Sequence, residues 1–236
     1  MSQPTNNGGS WVKESRFGVW FLGTDTWIVH VLTRALNNLE SLYPLKEREF
    51  SVILDIGYGH GHSLKLLDER YSPNRLIGVD VDPKAEGRAK ANIGHCRSQV
   101  ETHLCDAAAL PLPDQSVDML FCHQTFHHLV DHERAIQEFY RVLKPGGVML
   151  FAESCKRYIH SLMIRLLFRH PMDVQKTDDE YVALIRGAGF EVPEEQISRP
   201  YLWWSREDLG LFEKFGFKVP EDREETLINL VAMRPE

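Results

Sequence analysis

Three alternating glycines at the end of a short apolar run leave this chain few folds to choose from: Leu54-Asp55-Ile56-Gly57-Tyr58-Gly59-His60-Gly61. Ser51–Ile56 has the length and composition of a buried strand, and a helical pattern resumes over His60–Arg70. A strand that turns into a helix through glycines puts left-handed backbone and open N–H groups at one spot, where a ligand can approach the main chain closely. A plain tight turn would use the same residues. The dinucleotide fingerprint needs Gly-x-Gly-x-x-Gly. Counted from Gly57 the third position is His62, and counted from Gly59 it is Leu64, so the spacing excludes it. Asp55, just ahead of the first glycine, would repel a pyrophosphate and attract a cation.

Strand and helix then take turns. Arg75–Asp80, Val100–Leu104, Val117–Cys122 and Val148–Glu153 read as strands, with Pro83–Ile93 and Asp131–Leu143 as helices between them. The second of these helices stops at Lys144-Pro145-Gly146-Gly147. The alternation predicts βαβ units and a parallel sheet. Asp80 closes the second strand, the position from which an acid reads ribose hydroxyls in doubly wound folds. Asp82 is a rival two residues on, and Asp106 after the third strand is either a ligand contact or a helix cap. Upstream, a helix from Thr24 to before Pro44 buries the face carrying Trp27, Val31, Leu32, Ala35 and Leu39. Downstream, Tyr158–Arg169, Asp178–Gly187 and Arg206–Phe215 read as helices, Gly189–Ile197 contains a strand, and Glu225–Met233 is the last one.

Charge and cysteine content narrow the classes further. Lys and Arg number 27 against 34 acidic residues, a formal charge of −7, which disfavours a broad nucleic-acid-binding face. Four cysteines without a CxxC pair suit reduced thiols. The opening residues carry no basic-then-apolar leader pattern, and no run approaches the roughly 18 apolar residues of a membrane span, so a cytoplasmic location is expected.

Taken together, LDIGYGHG (54–61), GVDVDP (78–83), CDAAALPLPDQSVD (105–118), FHHLVDHERAIQEFYRVLKPGG (126–147) and GAGFEV (187–192) resemble the class I S-adenosylmethionine (SAM)-dependent methyltransferases, in their ubiquinone/menaquinone-biosynthesis-like (type 11) branch. The likeness covers roughly residues 50–155 and fits the charge argument, since SAM is cationic and free of phosphate. It implies an α/β, Rossmann-like fold: a seven-stranded, mostly parallel sheet, order 3-2-1-4-5-7-6 with strand 7 antiparallel, helices on both faces, and SAM across the strand C-termini. The expected division is a mobile tail over 1–10 and one domain over 11–236. That domain holds a cap helix in 11–48, the SAM-binding core in 50–155, lid or cap insertions with strand 6 in 156–216, and the last strand in 225–233.

Carried over by position, the resemblance implies that Gly57, Gly59 and Gly61 line the methionine and ribose side of SAM. It gives Asp55 the methionine ammonium, Asp80 the ribose, Val81 the adenine face, Asp106 and Ala107 the adenine edge, and Cys122 the methionyl part. Tyr58 and His60 are bulkier than the residues common between such glycines. S-adenosylhomocysteine (SAH) would be the product. An acceptor that must lose a proton needs a base, and His123 and His127, just past the fourth strand, are the candidates. His128 sits at a family-typical loop position. His123 with His127, and His128 with His132, have helical pair spacing, but no acid or thiol set accompanies them and no metal is expected.

The aromatic residues Trp11, Phe17, Trp20, Phe21, Trp27, Tyr158, Phe168, Trp203 and Trp204 fall outside the nucleotide core, where they suit a lid over a small apolar or aromatic acceptor, or cap core. Residues 156–169, with their arginines, also read as a weak membrane-surface contact, which would suit a lipid or quinone acceptor. Cys122-His123-Gln124-Thr125 stands where amino-methylating nucleic-acid enzymes carry Asp/Asn-Pro-Pro-aromatic, and an apolar cap does not suit a polyamine substrate. A SAM-binding regulatory or scaffold protein would keep the same nucleotide residues.

Overall fold

A computed structural model describes residues 11–206, 211–218 and 223–236. The expected tail over 1–10 lies outside the described residues, as does part of the helix read over Arg206–Phe215.

The chain opens with α1 (Arg16–Phe21), α2 (Asp25–Trp27) and α3 (Arg34–Leu42), the last two joined by a π-helical stretch over Ile28–Thr33. Thr24 caps this continuous run, its hydroxyl accepting from the Trp27 N–H at 3.3 Å. The alternating part follows: β1 (Val52–Ile56), α4 (His62–Tyr71), β2 (Arg75–Asp80), α5 (Ala85–Ile93), β3 (Gln99–Leu104), β4 (Val117–His123), α6 (His132–Val142) and β5 (Leu143–Ser154). Then come α7 (Lys156–Ile159), α8 (Leu162–Leu167), α9 (Asp178–Gly187), β6 (Ile197–Ser198), α10 (Leu211–Lys214) and β7 (Leu227–Met233). The seven strands form one sheet in the order β3-β2-β1-β4-β5-β7-β6. Strands β1 to β5 pair in parallel, and β7 runs antiparallel to both β5 and β6.

Both faces of the sheet are covered, which is why its strands read as unbroken apolar runs. Successive residues go to opposite sides. Leu54, Ile77, Leu120 and Phe151 pack with Phe139 of α6 and Tyr181 and Ile185 of α9. Ile53, Leu76, Phe121 and Leu150 pack with Leu36 and Leu39 of α3, Leu64 and Leu67 of α4, and Ala89 of α5. Caps fix where the helices begin. Asp131 accepts from the Arg134 N–H at 3.0 Å, and Thr177 forms a reciprocal capping box with Glu180.

Three elements differ from expectation. The single helix read over Tyr158–Arg169 is two, α7 and α8, broken at His160-Ser161. Ile159 and Ile164 are both buried, yet on one straight helix they would face about 140° apart; the break turns both inward. The strand inside Gly189–Ile197 shrinks to β6 and an isolated Glu191–Met233 pair, because Pro193 interrupts the run without an N–H to donate. β5 starts at Leu143, ahead of the expected Pro-Gly-Gly connection, since Gly146 and Gly147 exchange backbone hydrogen bonds with Arg234. Among the described residues no helix is long and apolar enough to cross a membrane.

Candidate active site

The glycine turn is built around close approach. Gly57 has φ +75°, and a Cβ on it would lie 2.2 Å from Thr125 Oγ1, so the loop after β1 meets the loop after β4 only because no side chain stands between them. Gly59 (φ +49°) turns its N–H onto Asp80 Oδ2 at 2.9 Å, coupling the ends of β1 and β2. Asp80 Oδ1 accepts from the Asp82 N–H at 2.8 Å, leaving lone pairs on both oxygens. Asp82 is already engaged, with Arg88 Nη1 2.8 Å away, which separates it from Asp80 as a ligand candidate. Asp55 is buried beneath the turn, with the Ser63 hydroxyl 2.5 Å from its Oδ2. Burial pushes its pKa up to about 7, and the Asp80 charge adds to the rise. Burial also raises Asp80.

These acids open into a cavity of about 540 Å³ at the C-terminal ends of the parallel strands. One half is lined by Asp55, Gly57, Gly59, Asp80 and Val81, and the other by aromatic and histidine side chains. A cationic nucleoside fits the first half. The Asp80 charge raises the cost of ionising the buried Asp55, and a ligand carrying positive charge and hydroxyl groups relieves both acids. A pyrophosphate would make it worse.

Four residues assigned to the cofactor lie off the cavity lining. Gly61 begins α4 at φ +75°, and a Cβ there would come within 2.9 Å of Ala89 Cβ, so its bareness serves α4–α5 packing. Asp106 turns back to accept the Ala108 N–H at 2.9 Å, and Ala107 is buried in the core beside it. Cys122 is buried in the sheet, its Sγ 3.6 Å from Glu153 Oε1.

The second half of the cavity is a histidine wall under aromatic side chains. Both base candidates reach it. The His123 ring lies between Phe121 and Trp27, centroids 5.8 and 5.5 Å away, and among the described residues its Nε2 has no hydrogen-bond partner. Burial lowers its pKa to about 4, so the ring is neutral. His127 sits deeper, its Nδ1 2.6 Å from Glu153 Oε2, while Glu153 Oε1 accepts the Thr125 and Phe126 N–H groups, both at 2.8 Å. With Glu153 ionised, Nδ1–H is the donor to Oε2. Burial lowers His127 and His128 to about 3.

Trp11, Trp27 and Trp204 line this half with Phe17, Phe21, Tyr158 and Phe168. Trp20 is exposed instead, and the Trp203 side chain is outside the described residues.

Several lining residues carry no mark in the sequence. His170, from the segment after α8, stacks against His128 at 4.7 Å. Glu14, ahead of α1, has Oε2 3.8 Å from His128 Nε2. Gln124 holds a left-handed backbone (φ +50°) and receives the Ser154 hydroxyl at 2.6 Å. Only Gln124 has a local signal, the end of a strand.

Residues 54–151 match the family model described as Methyltransferase domain. The malonyl-[acyl-carrier protein] O-methyltransferase of Marinomonas sp. is 26% identical over 182 residues, 75% of this chain and 66% of that protein. The demethylmenaquinone methyltransferase of Thermus thermophilus is 34% identical over 101 residues, 43% of this chain and 46% of that one. The solved structure of Haemonchus contortus phospholethanolamine N-methyltransferase 2, in complex with phosphomonomethylethanolamine and SAH, superposes with a TM-score of 0.66 at 18% identity, covering 93% of this chain and 58% of that one. The chain spans about a third to two thirds of the length of the curated relatives it matches.

Proposed function

The chain carries the methyltransferase domain of the class I SAM-dependent family, and from that premise we propose that it transfers the SAM methyl group to a small apolar or aromatic acceptor. The supporting observation is continuity: one cavity runs from the carboxylates of the glycine turn to the aromatic and histidine wall without a partition. When bound, SAM supplies an electrophilic methyl carbon on a sulfonium leaving group. The protein's part is to hold and to dry. Asp55 meets the ammonium of the methionine part, Asp80 takes the ribose hydroxyls, and Val81 packs on the adenine face. Gly57 and Gly59 keep the backbone out of the way.

The tryptophan-lined half orients an apolar acceptor and excludes water, so the reacting atoms meet without solvent between them. For an acceptor that must lose a proton, His123 is the receiving base. Its ring is neutral and its Nε2 has no hydrogen-bond partner among the described residues. SAH titrated calorimetrically against wild-type protein should bind one per chain, and a panel of apolar phenols, acids and thiols with labelled SAM should reveal turnover. SAH binding with no turnover on any acceptor would instead favour a SAM-binding regulatory protein.

A second reading concerns where the acceptor comes from. Met163 and Leu167 of α8 line the cavity, while Leu162 and Leu166 on the same helix are 75% and 74% exposed. A helix apolar on both sides suits contact with a lipid surface from which a lipid or quinone acceptor passes into the cavity.

A further inference from the structure

We propose that His127, His128 and His170 form a binding site for one divalent transition-metal ion of the zinc type, open on its remaining side to the cavity. One ring nitrogen from each residue lies within 4.8 Å of the others. The three rings pack at centroid distances of 4.4 Å (127–128), 4.7 Å (128–170) and 5.0 Å (127–170). Around a tetrahedral zinc such nitrogens stand about 3.3 Å apart, so the three rings draw closer together to close the set.

The surroundings are those of a held ligand set rather than an apolar cluster. Glu153 fixes Nδ1 of His127 and leaves the other ring nitrogen of that residue to point away from it, the carboxylate–histidine arrangement that orients metal ligands. Glu153 is itself anchored by the N–H groups of Thr125 and Phe126, in the turn that carries His127 and His128. Gln175 Nε2 bridges the carbonyls of His127 and Pro171, both at 2.8 Å, and so ties that turn to the segment bearing His170. Glu14 Oε2 lies 3.8 Å from His128 Nε2, so with Glu153 two carboxylates stand next to the histidine set.

The donor set indicates the occupant. An imidazole-only triad suits zinc, iron, nickel or copper over magnesium or calcium, and three protein ligands with an open position is the pattern of a site that takes an exogenous ligand. All three histidines line the cavity, so that ligand is an oxygen of the acceptor, such as a hydroxyl or carboxylate. This last step rests on the methyl-transfer reading; the ion site does not. Within it His127 is a ligand, and the base is His123.

The test uses full-length protein freed of metal by a chelator. Zn²⁺ titrated by calorimetry should bind at one per chain, and Co²⁺ should give the visible absorption bands of a tetrahedral nitrogen-rich site. His170→Gln and His128→Gln should each weaken Zn²⁺ binding by more than about 100-fold, beyond what loss of an outer partner costs. His95→Gln, at an exposed position, should not change it. If His170→Gln fails to fold by circular dichroism, His128→Gln and the wild-type Co²⁺ spectrum decide. No stoichiometric binding by the wild type, or equal affinity in wild type and folded variants, overturns the proposal. SAH titrated into the metal-free protein keeps the two readings apart: loss of zinc binding with SAH still bound overturns the ion site alone, and the reverse overturns the methyl-transfer reading alone.

Discussion

Asp80 and Asp55 divide the work of one negative patch, and their surroundings set different tests for each. Asp80 keeps both oxygens on backbone N–H groups and still has lone pairs facing the cavity. Removing it deletes charge-assisted hydrogen bonds, so Asp80→Ala should weaken SAH and SAM binding by about 1–3 kcal/mol in calorimetry; unchanged affinity would remove it from the site. Asp55 carries a pH signature. Its pKa is near its ordinary 3.8 in the unfolded chain and about 7 in the folded one. As pH climbs from about 4 to 7 the unfolded state releases this proton while the folded state retains it, so the residue erodes stability across that window and no further above it. Asp55→Asn should therefore gain melting temperature over wild type between pH 5 and pH 8, with the gain levelling off above about 7. A cationic ligand reverses the local balance: wild-type SAM affinity should rise with pH through about 7 as binding expels the proton, and the Asn variant should lose that slope. Both acids were legible in the sequence, Asp55 because it stands just ahead of the first glycine of the turn and Asp80 because it closes an apolar strand. His170 and Glu14 were not, since residues far apart in the chain meet only after the cap has folded onto the core.

Elements of the core followed their local chemistry closely. Arg75–Asp80 and Asp178–Gly187 have the observed bounds, the former a short apolar run and the latter held in the structure by the Thr177–Glu180 capping box. The cap was harder to read. Tyr158–Arg169 is apolar nearly all round, so it has no stripe to show which residues turn inward, and the break that buries both Ile159 and Ile164 is decided by what lies beneath. The bare face of α8 that results makes a prediction at this scale. Leu162→Ser combined with Leu166→Ser replaces two exposed apolar side chains and should leave the melting temperature nearly unchanged. If the helix meets lipid, wild-type protein should float with anionic phospholipid vesicles on a density gradient, and the double variant should lose most of that binding. Equal flotation of both, or none by the wild type, would leave α8 as a lid alone.

At the scale of the whole molecule the cavity is a joint between two parts that the cofactor half alone does not hold together. Its floor belongs to the sheet and the loops after β1, β2 and β4, and its roof to residues 11–34 and 156–170. The two roof segments are sewn to one another, Ser15 Oγ donating to the Leu167 carbonyl at 2.6 Å and the Arg169 N–H to Glu14 Oε1 at 3.1 Å. A ligand filling the space between floor and roof touches both, so its binding energy should appear as stability and as order in each. At about 100 times its dissociation constant SAH adds about 2.7 kcal/mol, which for a chain of this size means a melting temperature higher by roughly 5–10 °C. Amide hydrogen exchange locates that gain. SAH contacts the floor through the glycine turn and Asp80, so slowed exchange over 54–61 and 79–82 follows from binding alone. Because Val12, Phe17 and Phe168 line the same cavity as those loops, slowed exchange should extend to 11–34 and 156–170. If protection stops at the glycine turn, floor and roof act separately, and the aromatic half must be organised by the acceptor rather than by the cofactor.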